Sequence, residues 1–248
     1  MICTRHKLHG ALVLQALRAG KHVLVEKPLC INSIELDEIK EFFAESGDKP
    51  VLMTAFNRRF APVVRLAHQW LKERHTPLMI NYRMNAGYVP LDHWVHGEEG
   101  GGRNIGEACH IYDLFNFLVG SEVTAVHAAS ISPPSRKWLR SDNFVATLNY
   151  RDGSVCALTY TALGANSYPK ERMEIYGDGK AIVVDDFKSI DIFGAKVNGS
   201  KSPMVQKGHL EELEHLADCL QNGTGWPIPL DQQVAATEIS FLVQEQIQ

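Results

Sequence analysis

The sequence predicts a parallel α/β piece joined to a larger α+β domain, the latter built on a mainly antiparallel sheet with flanking helices. Three observations carry this. Across residues 1–56, short β-branched runs alternate with stretches of helical periodicity, the pattern of parallel βαβ units with a right-handed crossover. From Glu122 onward, six strand-like runs follow one another, some joined by tight turns such as Arg151-Asp-Gly-Ser154 and Gly177-Asp-Gly-Lys180. Two helical stretches, split by Pro227 and Pro229, close the chain.

The elements justify themselves in order. Met1–Thr4 reads as the tail of a strand, and His6–Ala19 places Leu8, Leu12, Leu14 and Leu17 at helical spacing. Gly20 stands where a helix C-cap belongs, and His22–Glu26 is a short buried-type strand. Asn32 with Glu35 resembles a capping box for a helix through Leu36, Ile39, Phe42 and Phe43. Pro50–Phe56 is the next strand. Pro62–Arg74 reads as a helix, Leu78–Asn85 as a strand, and Glu107–Val119 as a helix that stops at Gly120. The six strands are expected at Val123–Ile131, Phe144–Tyr150, Val155–Thr161, Arg172–Tyr176, Ala181–Asp185 and Ile190–Phe193. Helices are expected at His209–Gln221 and Gln233–Ile247.

Composition bounds the function. The 248 residues are 45% hydrophobic and 22% charged, ordinary for a soluble globular chain of one to two domains. With 25 basic against 29 acidic residues the net charge is −4, which argues against nucleic acid and anionic membrane as partners. Cys3, Cys30, Cys109, Cys156 and Cys219 form no CxxC pair, so neither a disulfide framework nor a thiolate zinc site is expected. The N-terminus lacks a signal-peptide core, and no apolar run approaches the roughly 20 residues that span a bilayer. A cytoplasmic setting is expected.

Three segments carry chemistry: Gly20-Lys-His-Val-Leu-Val-Glu-Lys-Pro-Leu29, Phe56-Asn-Arg-Arg-Phe60, and Gly100-Gly-Gly-Arg-Asn-Ile-Gly-Glu-Ala-Cys-His-Ile-Tyr-Asp-Leu114. In that order they resemble the Gfo/Idh/MocA oxidoreductases, the family of glucose–fructose oxidoreductase and inositol dehydrogenase. The Gly-Glu-Ala-Cys-His variant, with Asn81–Gly87 and Asp92-His-Trp94 upstream, resembles the C-terminal half of bi-domain oxidoreductases in that family. The resemblance implies an incomplete dinucleotide-binding Rossmann domain at 1–58 and a C-terminal substrate and oligomerisation domain at 59–248. It also implies hydride transfer between NAD or NADP and a sugar or sugar-derived alcohol.

Within the resemblance, Lys27 matches the lysine near the nicotinamide and the substrate hydroxyl, and His110 matches the catalytic histidine. The chemistry suits them: taking a hydride from a secondary alcohol requires a base for the hydroxyl proton. Lys27 also sits at the C-terminal end of a buried strand, where open α/β sheets place ligands. Glu107 and Asp113 lie three residues either side of His110, so a carboxylate is expected to share its helical face and orient the imidazole. Many members carry an aspartate four residues before the histidine; this chain has Gly106 there, and Glu107 is the candidate replacement. Thr4, Arg5, His9, Glu26, Lys27 and Pro28 are the candidates for the nicotinamide side of a cofactor site. Arg83, Asn85, His93, Trp94 and Arg103 are candidates for the substrate face. Lys170, Glu171 and Arg172 are expected to form a solvated turn. His93, His96, Glu98, Glu99, Cys109 and His110 lie in or beside a glycine-rich loop rather than on one helix, so no metal is expected.

No Gly-x-Gly-x-x-Gly follows a strand in this sequence. At about 30 residues per strand–helix unit, roughly 90 residues of the family's first domain are expected to be absent from this sequence. Without the phosphate-binding turn, weak or undetectable NAD(P) binding is expected for this chain. An alternative follows: a catalytically silent fragment that retains a carbohydrate-binding or oligomerising domain. A shortened sheet exposes an edge, so a homo-oligomer is expected.

Overall fold

The computed structural model describes residues 1–133, 137–196 and 199–248. Ile2 bridges Val25 in parallel, and β1 (Val23–Val25) pairs in parallel with β2 (Leu52–Thr54). A short 3-10 turn at His6–Leu8 leads into α1 (His9–Arg18), and α2 (Ser33–Ala44) connects the two strands. The Asn32 side chain caps α2 by accepting from the Glu35 backbone N–H at 3.0 Å. Val13, Leu14, Leu17, Val23, Val25, Ile39 and Leu52 form a small core between these helices and strands.

The second sheet has eight strands: β3 (Met79–Asn85), β4 (Val123–Ser130), β5 (Asn143–Tyr150), β6 (Val155–Thr161), β7 (Glu171–Gly177), β8 (Lys180–Asp185), β9 (Ser189–Phe193) and β10 (Ser200–Lys201). Their order is β10-β9-β8-β7-β3-β6-β5-β4. All neighbours are antiparallel except β3 and β6, which run parallel, so β3 enters the middle of a sheet that is otherwise a meander on either side. Alternation sorts each strand onto two faces. Ile80, Tyr82 and Met84 of β3 face the main core with Met173 and Ile175 of β7 and Leu158 and Tyr160 of β6. The helices α3 (Pro62–Leu71), α4 (Cys109–Val119), α5 (His209–Asn222) and α6 (Leu230–Ile247) complete the fold, and α3, α4 and α6 supply much of that core.

Two local features depart from the sequence expectation. The helix expected from Glu107 is preceded by a π-helical turn at Asn104–Ala108, and α4 starts only at Cys109. Helix α6, from the far end of the chain, reaches the small parallel sheet. The Gln233 side-chain Oε1 accepts from the Thr54 backbone N–H at 2.8 Å, and its Nε2 donates to the Leu52 carbonyl at 2.9 Å. Val234 joins the small core. Helix α6, which also packs on the large sheet, is thus tied to the small one by buried hydrogen bonds.

Candidate active site

A polar cavity of about 280 Å³ opens where β1, β2, α4 and α5 converge. Glu26 and Lys27 reach it from the end of β1, Ala55, Asn57 and Arg58 from the turn after β2, and Glu107 and His110 from the π turn and α4. Lys207, His209 and Glu212 close it from the start of α5. This is the C-terminal end of the parallel strands, where open α/β sheets hold ligands.

Lys27 and His110, predicted from far apart in the chain, share this wall. The Lys27 amine donates to the Gly106 carbonyl at 2.9 Å, on the π turn one helical turn before His110. Such π turns are frequent at functional sites. His110 is buried, and burial together with Arg58, Lys27, Lys207 and His209 holds its imidazole well below the usual histidine range. It is therefore neutral at neutral pH, with a ring lone pair free to accept a hydrogen bond.

The expectation that a neighbouring carboxylate orients this imidazole is corrected. The His110 Nδ1 is buried with no hydrogen-bond partner among the described residues. Asp113 instead forms a buried fork with Arg59, whose Nε donates to Oδ2 at 2.9 Å. Glu107 accepts from Lys170 at 2.8 Å, from Arg103 at 3.1 Å and from the Tyr160 hydroxyl. Burial would raise the Glu107 carboxyl, but Lys170, Tyr160 and Arg103 hold it far below the usual range. Spacing of three residues places these groups near one stripe, yet Asp113 is drawn to Arg59, and Glu107 to Lys170 and to Arg103 one turn back.

Gly106 has its own explanation. A Cβ there would stand 2.6 Å from Cε1 of the His6 ring, which is buried and hydrogen-bonded through Nδ1 to the Gly100 carbonyl at 2.8 Å. Trp94 packs edge-on against the same ring at 4.8 Å, so His6 has no room to yield. The space for a side chain at 106 is taken by His6. Gly106→Ala is accordingly expected to lose about 2 kcal/mol of stability. Adding His6→Ala should return part of that loss, read as a positive coupling in a urea-denaturation double-mutant cycle.

The remaining candidates lie elsewhere or are otherwise engaged. His9 is buried with its ring nitrogens 2.7 Å from the Pro28 carbonyl and 3.0 Å from the Thr4 carbonyl, so it ties the backbone of both segments together. Pro28 is buried, while Thr4 and Arg5 are exposed, and Arg5 pairs with Glu99 and lies over Trp94. The His93 Nδ1 accepts from the Val95 backbone N–H at 3.3 Å. Arg103 is buried and holds the Ala86 and Gly87 carbonyls at 3.0 and 2.6 Å. Arg83 and Asn85 point away from the cavity, on the face of β3 opposite Tyr82 and Met84. There Arg83 stacks over Tyr168, and the Asn85 amide holds the Ala165 and Tyr168 carbonyls. Among the described residues no group of three or more metal-ligating side chains comes together.

A second correction concerns Glu171. It opens β7 rather than a solvated turn and is 1% exposed, because its register partner is Met84 on the core face. Arg58 donates to it through Nε at 2.9 Å and Nη2 at 3.1 Å, Lys207 at 2.5 Å and the Tyr82 hydroxyl at 2.5 Å. Burial pushes its carboxyl up, but Arg58 and Lys207 bring it down to about 2. Arg58, Asn57, Lys207, His209 and Glu212 were not singled out from sequence as site residues. Their traces are there: a double arginine directly after an apolar strand, and a glycine followed by His-x-x-Glu at a helix start.

With this geometry in place, comparison with known proteins decides the relationship. Residues 1–55 match the family profile "Oxidoreductase family, NAD-binding Rossmann fold", and residues 75–246 match "Oxidoreductase family, C-terminal alpha/beta domain". The chain belongs to the Gfo/Idh/MocA oxidoreductase family. Two Bacillus subtilis members are similar to it: the uncharacterized oxidoreductase YrbE, 26% identical over 88% of this chain and 63% of its own length, and scyllo-inositol 2-dehydrogenase (NAD(+)), 24% identical over 90% and 67%. The chain thus spans about two thirds of the length of these curated relatives. Among solved structures, levoglucosan dehydrogenase in complex with NADH and levoglucosan superposes with a TM-score of 0.81 at 20% identity, covering 99% of this chain and 76% of that one. The Gfo/Idh/MocA fold is therefore shared. Among the described residues no helix is long and apolar enough to cross a membrane.

Does the site fit the dinucleotide the family binds? Glu26 and Lys27 leave β1 beside the cavity, with room for one end of a dinucleotide, whereas Thr4 and Arg5, which follow the Ile2 bridge, do not line it. The pyrophosphate is different. None of the strand-to-helix turns of the small sheet, Cys3–Arg5, Glu26–Asn32 or Ala55–Ala61, contains a glycine. The residues present suit one end of the cofactor.

Proposed function

We propose that this chain carries the proton-transfer and substrate-binding half of a dehydrogenase that acts on a sugar or sugar-derived alcohol with NAD or NADP. The observation that carries it is the Lys27 amine and the neutral His110 imidazole facing one polar cavity. A nicotinamide, when bound, would take the hydride from the alcohol carbon. The chain's own task is the hydroxyl proton. Lys27, anchored on the Gly106 carbonyl, and His110 are the acid/base pair that faces it. Asn57, Arg58 and His209 supply polar contacts around the ring. The similar proteins named for scyllo-inositol and levoglucosan support this substrate class.

Oxidation of scyllo-inositol and levoglucosan, followed as NADH or NADPH absorbance, tests this reading. Lys27→Met and His110→Leu are each expected to lower kcat/KM by roughly 100-fold; unchanged rates in either would overturn the assignment. A second reading is favoured by the glycine-free turns: a carbohydrate-binding or oligomerising fragment without turnover. It predicts no saturable binding of NADH or NADPH in a fluorescence titration at micromolar cofactor, and tight binding there would sink it. Self-association is proposed through the uncovered face of the large sheet, where Met79, Val145 and Tyr176 are exposed. A monomer in light scattering at high micromolar concentration would count against it.

A further inference from the structure

Helix α5 is built the wrong way round for a purely structural helix. Leu210 is 65% and Leu213 44% exposed, while the one residue it buries is a carboxylate, Glu212, at 4%. A buried carboxyl with no partner is costly, and nothing in the fold gains from it. Yet the Glu212 Oε1 has no hydrogen-bond partner among the described residues, and the side chain lines the cavity opposite Glu26, Lys27 and His110.

The fold holds it there. Gly208 adopts φ +84° at the start of α5, and a Cβ on it would stand 2.4 Å from the Ala61 nitrogen and 2.5 Å from the Asn57 carbonyl oxygen. Only glycine lets the helix start lie on the backbone of the Asn57–Phe60 turn. The Asn57 amide reinforces the docking, 2.9 Å from the Lys207 carbonyl and 3.1 Å from the His209 Nε2. From that anchor the first turn of α5 delivers His209 and Glu212 to the cavity.

We propose that Glu212 is a substrate-contacting, specificity-determining residue whose carboxyl hydrogen-bonds a hydroxyl of an uncharged polyhydroxylated ring in this cavity. The carboxyl suits such a ligand. Burial, with the carboxylates of Glu26 and Asp113 facing it, pushes it up to about 8, so near neutral pH it both donates and accepts. A ring hydroxyl does the same and satisfies both roles.

The proposal rests on the substrate class of the dehydrogenase reading, but its test needs no cofactor. Scyllo-inositol and levoglucosan are titrated separately against the full chain by ligand-observed NMR at pH 7, with wild type, Glu212→Gln and Glu212→Leu. At least one probe is expected to bind, Glu212→Gln to stay within about threefold, and Glu212→Leu to weaken binding by about tenfold or more, the loss of a buried polar contact to ligand. Thermal melting of Glu212→Leu no lower than wild type shows that the loss is not misfolding. Equal binding by wild type and Glu212→Leu overturns the proposal, and so does binding of neither probe to wild type. Glu212-dependent binding without any NAD(P)-linked turnover would leave this assignment standing while the dehydrogenase reading fell.

Discussion

Glu171→Gln is expected to lower the stability of the chain by about 4 kcal/mol, the usual consequence of removing one partner from a buried ion pair. The substitution keeps the shape and removes the charge that Arg58, Lys207 and Tyr82 all address. Arg58 is 5% exposed and would stay behind as an uncompensated buried cation. Linkage gives a figure of the same order. The Glu171 carboxyl titrates at about 2 in the fold against 4.5 in an open chain, which corresponds to about 3 kcal/mol. Because the folded value is depressed, that stability is present in full above pH 4.5 and is lost as pH falls toward 2. Urea unfolding of wild type and variant at pH 7 and pH 3 checks both points: the gap should be large at pH 7 and narrow at pH 3. The double variant Arg58→Met/Glu171→Leu should recover part of the loss, since an apolar pair of similar volume leaves neither charge stranded. A difference below about 1 kcal/mol at pH 7, the range of surface ion pairs, would mean the cluster is solvated.

That cluster also marks where reading the sequence stops. The element order was legible because each strand and helix carries a local period. That Lys27 stands beside the cavity was legible from the Glu26-Lys27-Pro28 resemblance and from the short buried strand that ends two residues before it. Arg83 and Asn85 alternate with Tyr82 and Met84, which already separates them onto the other face of β3. Which of the two faces carries the site depends on where α4 lands, and no local period encodes that. Glu171 has two cationic partners 113 and 36 residues away, so only the fold brings the charges together. Gly106 and His6 are a hundred positions apart and complementary in volume, which again has no local signature. In the same way, Glu107 was expected beside His110 from its spacing, but Lys170 and Arg103 draw its carboxylate to their side.

The other large effect is a stability optimum on the pH axis with two separable flanks. His6 is buried and pushed down to about 4 by that burial and by Lys27 and His9, although its bond to Gly100 works the other way. His110 is likewise held well below the usual histidine range by its burial and the cations around it. For both, the stability contribution is whole above the open-chain value of 6.5 and is lost as pH falls below it. Glu212 has the opposite sign. Its folded value is raised to about 8 from 4.5, so the fold favours the protonated form, and stability declines as pH rises from about 4.5 through 8. Wild type should therefore be most stable near pH 6 and lose about 3 kcal/mol toward pH 9 through Glu212. Glu212→Gln has no proton to lose. In urea titrations from pH 5 to pH 9 the gap between Glu212→Gln and wild type should widen steadily, by about 3 kcal/mol between pH 6 and pH 9. Parallel curves across that range would show that the Glu212 carboxyl is already ionised at neutral pH. The same alkaline transition should appear in ligand binding, since a carboxylate facing Glu26 and Asp113 can no longer donate to a ring hydroxyl.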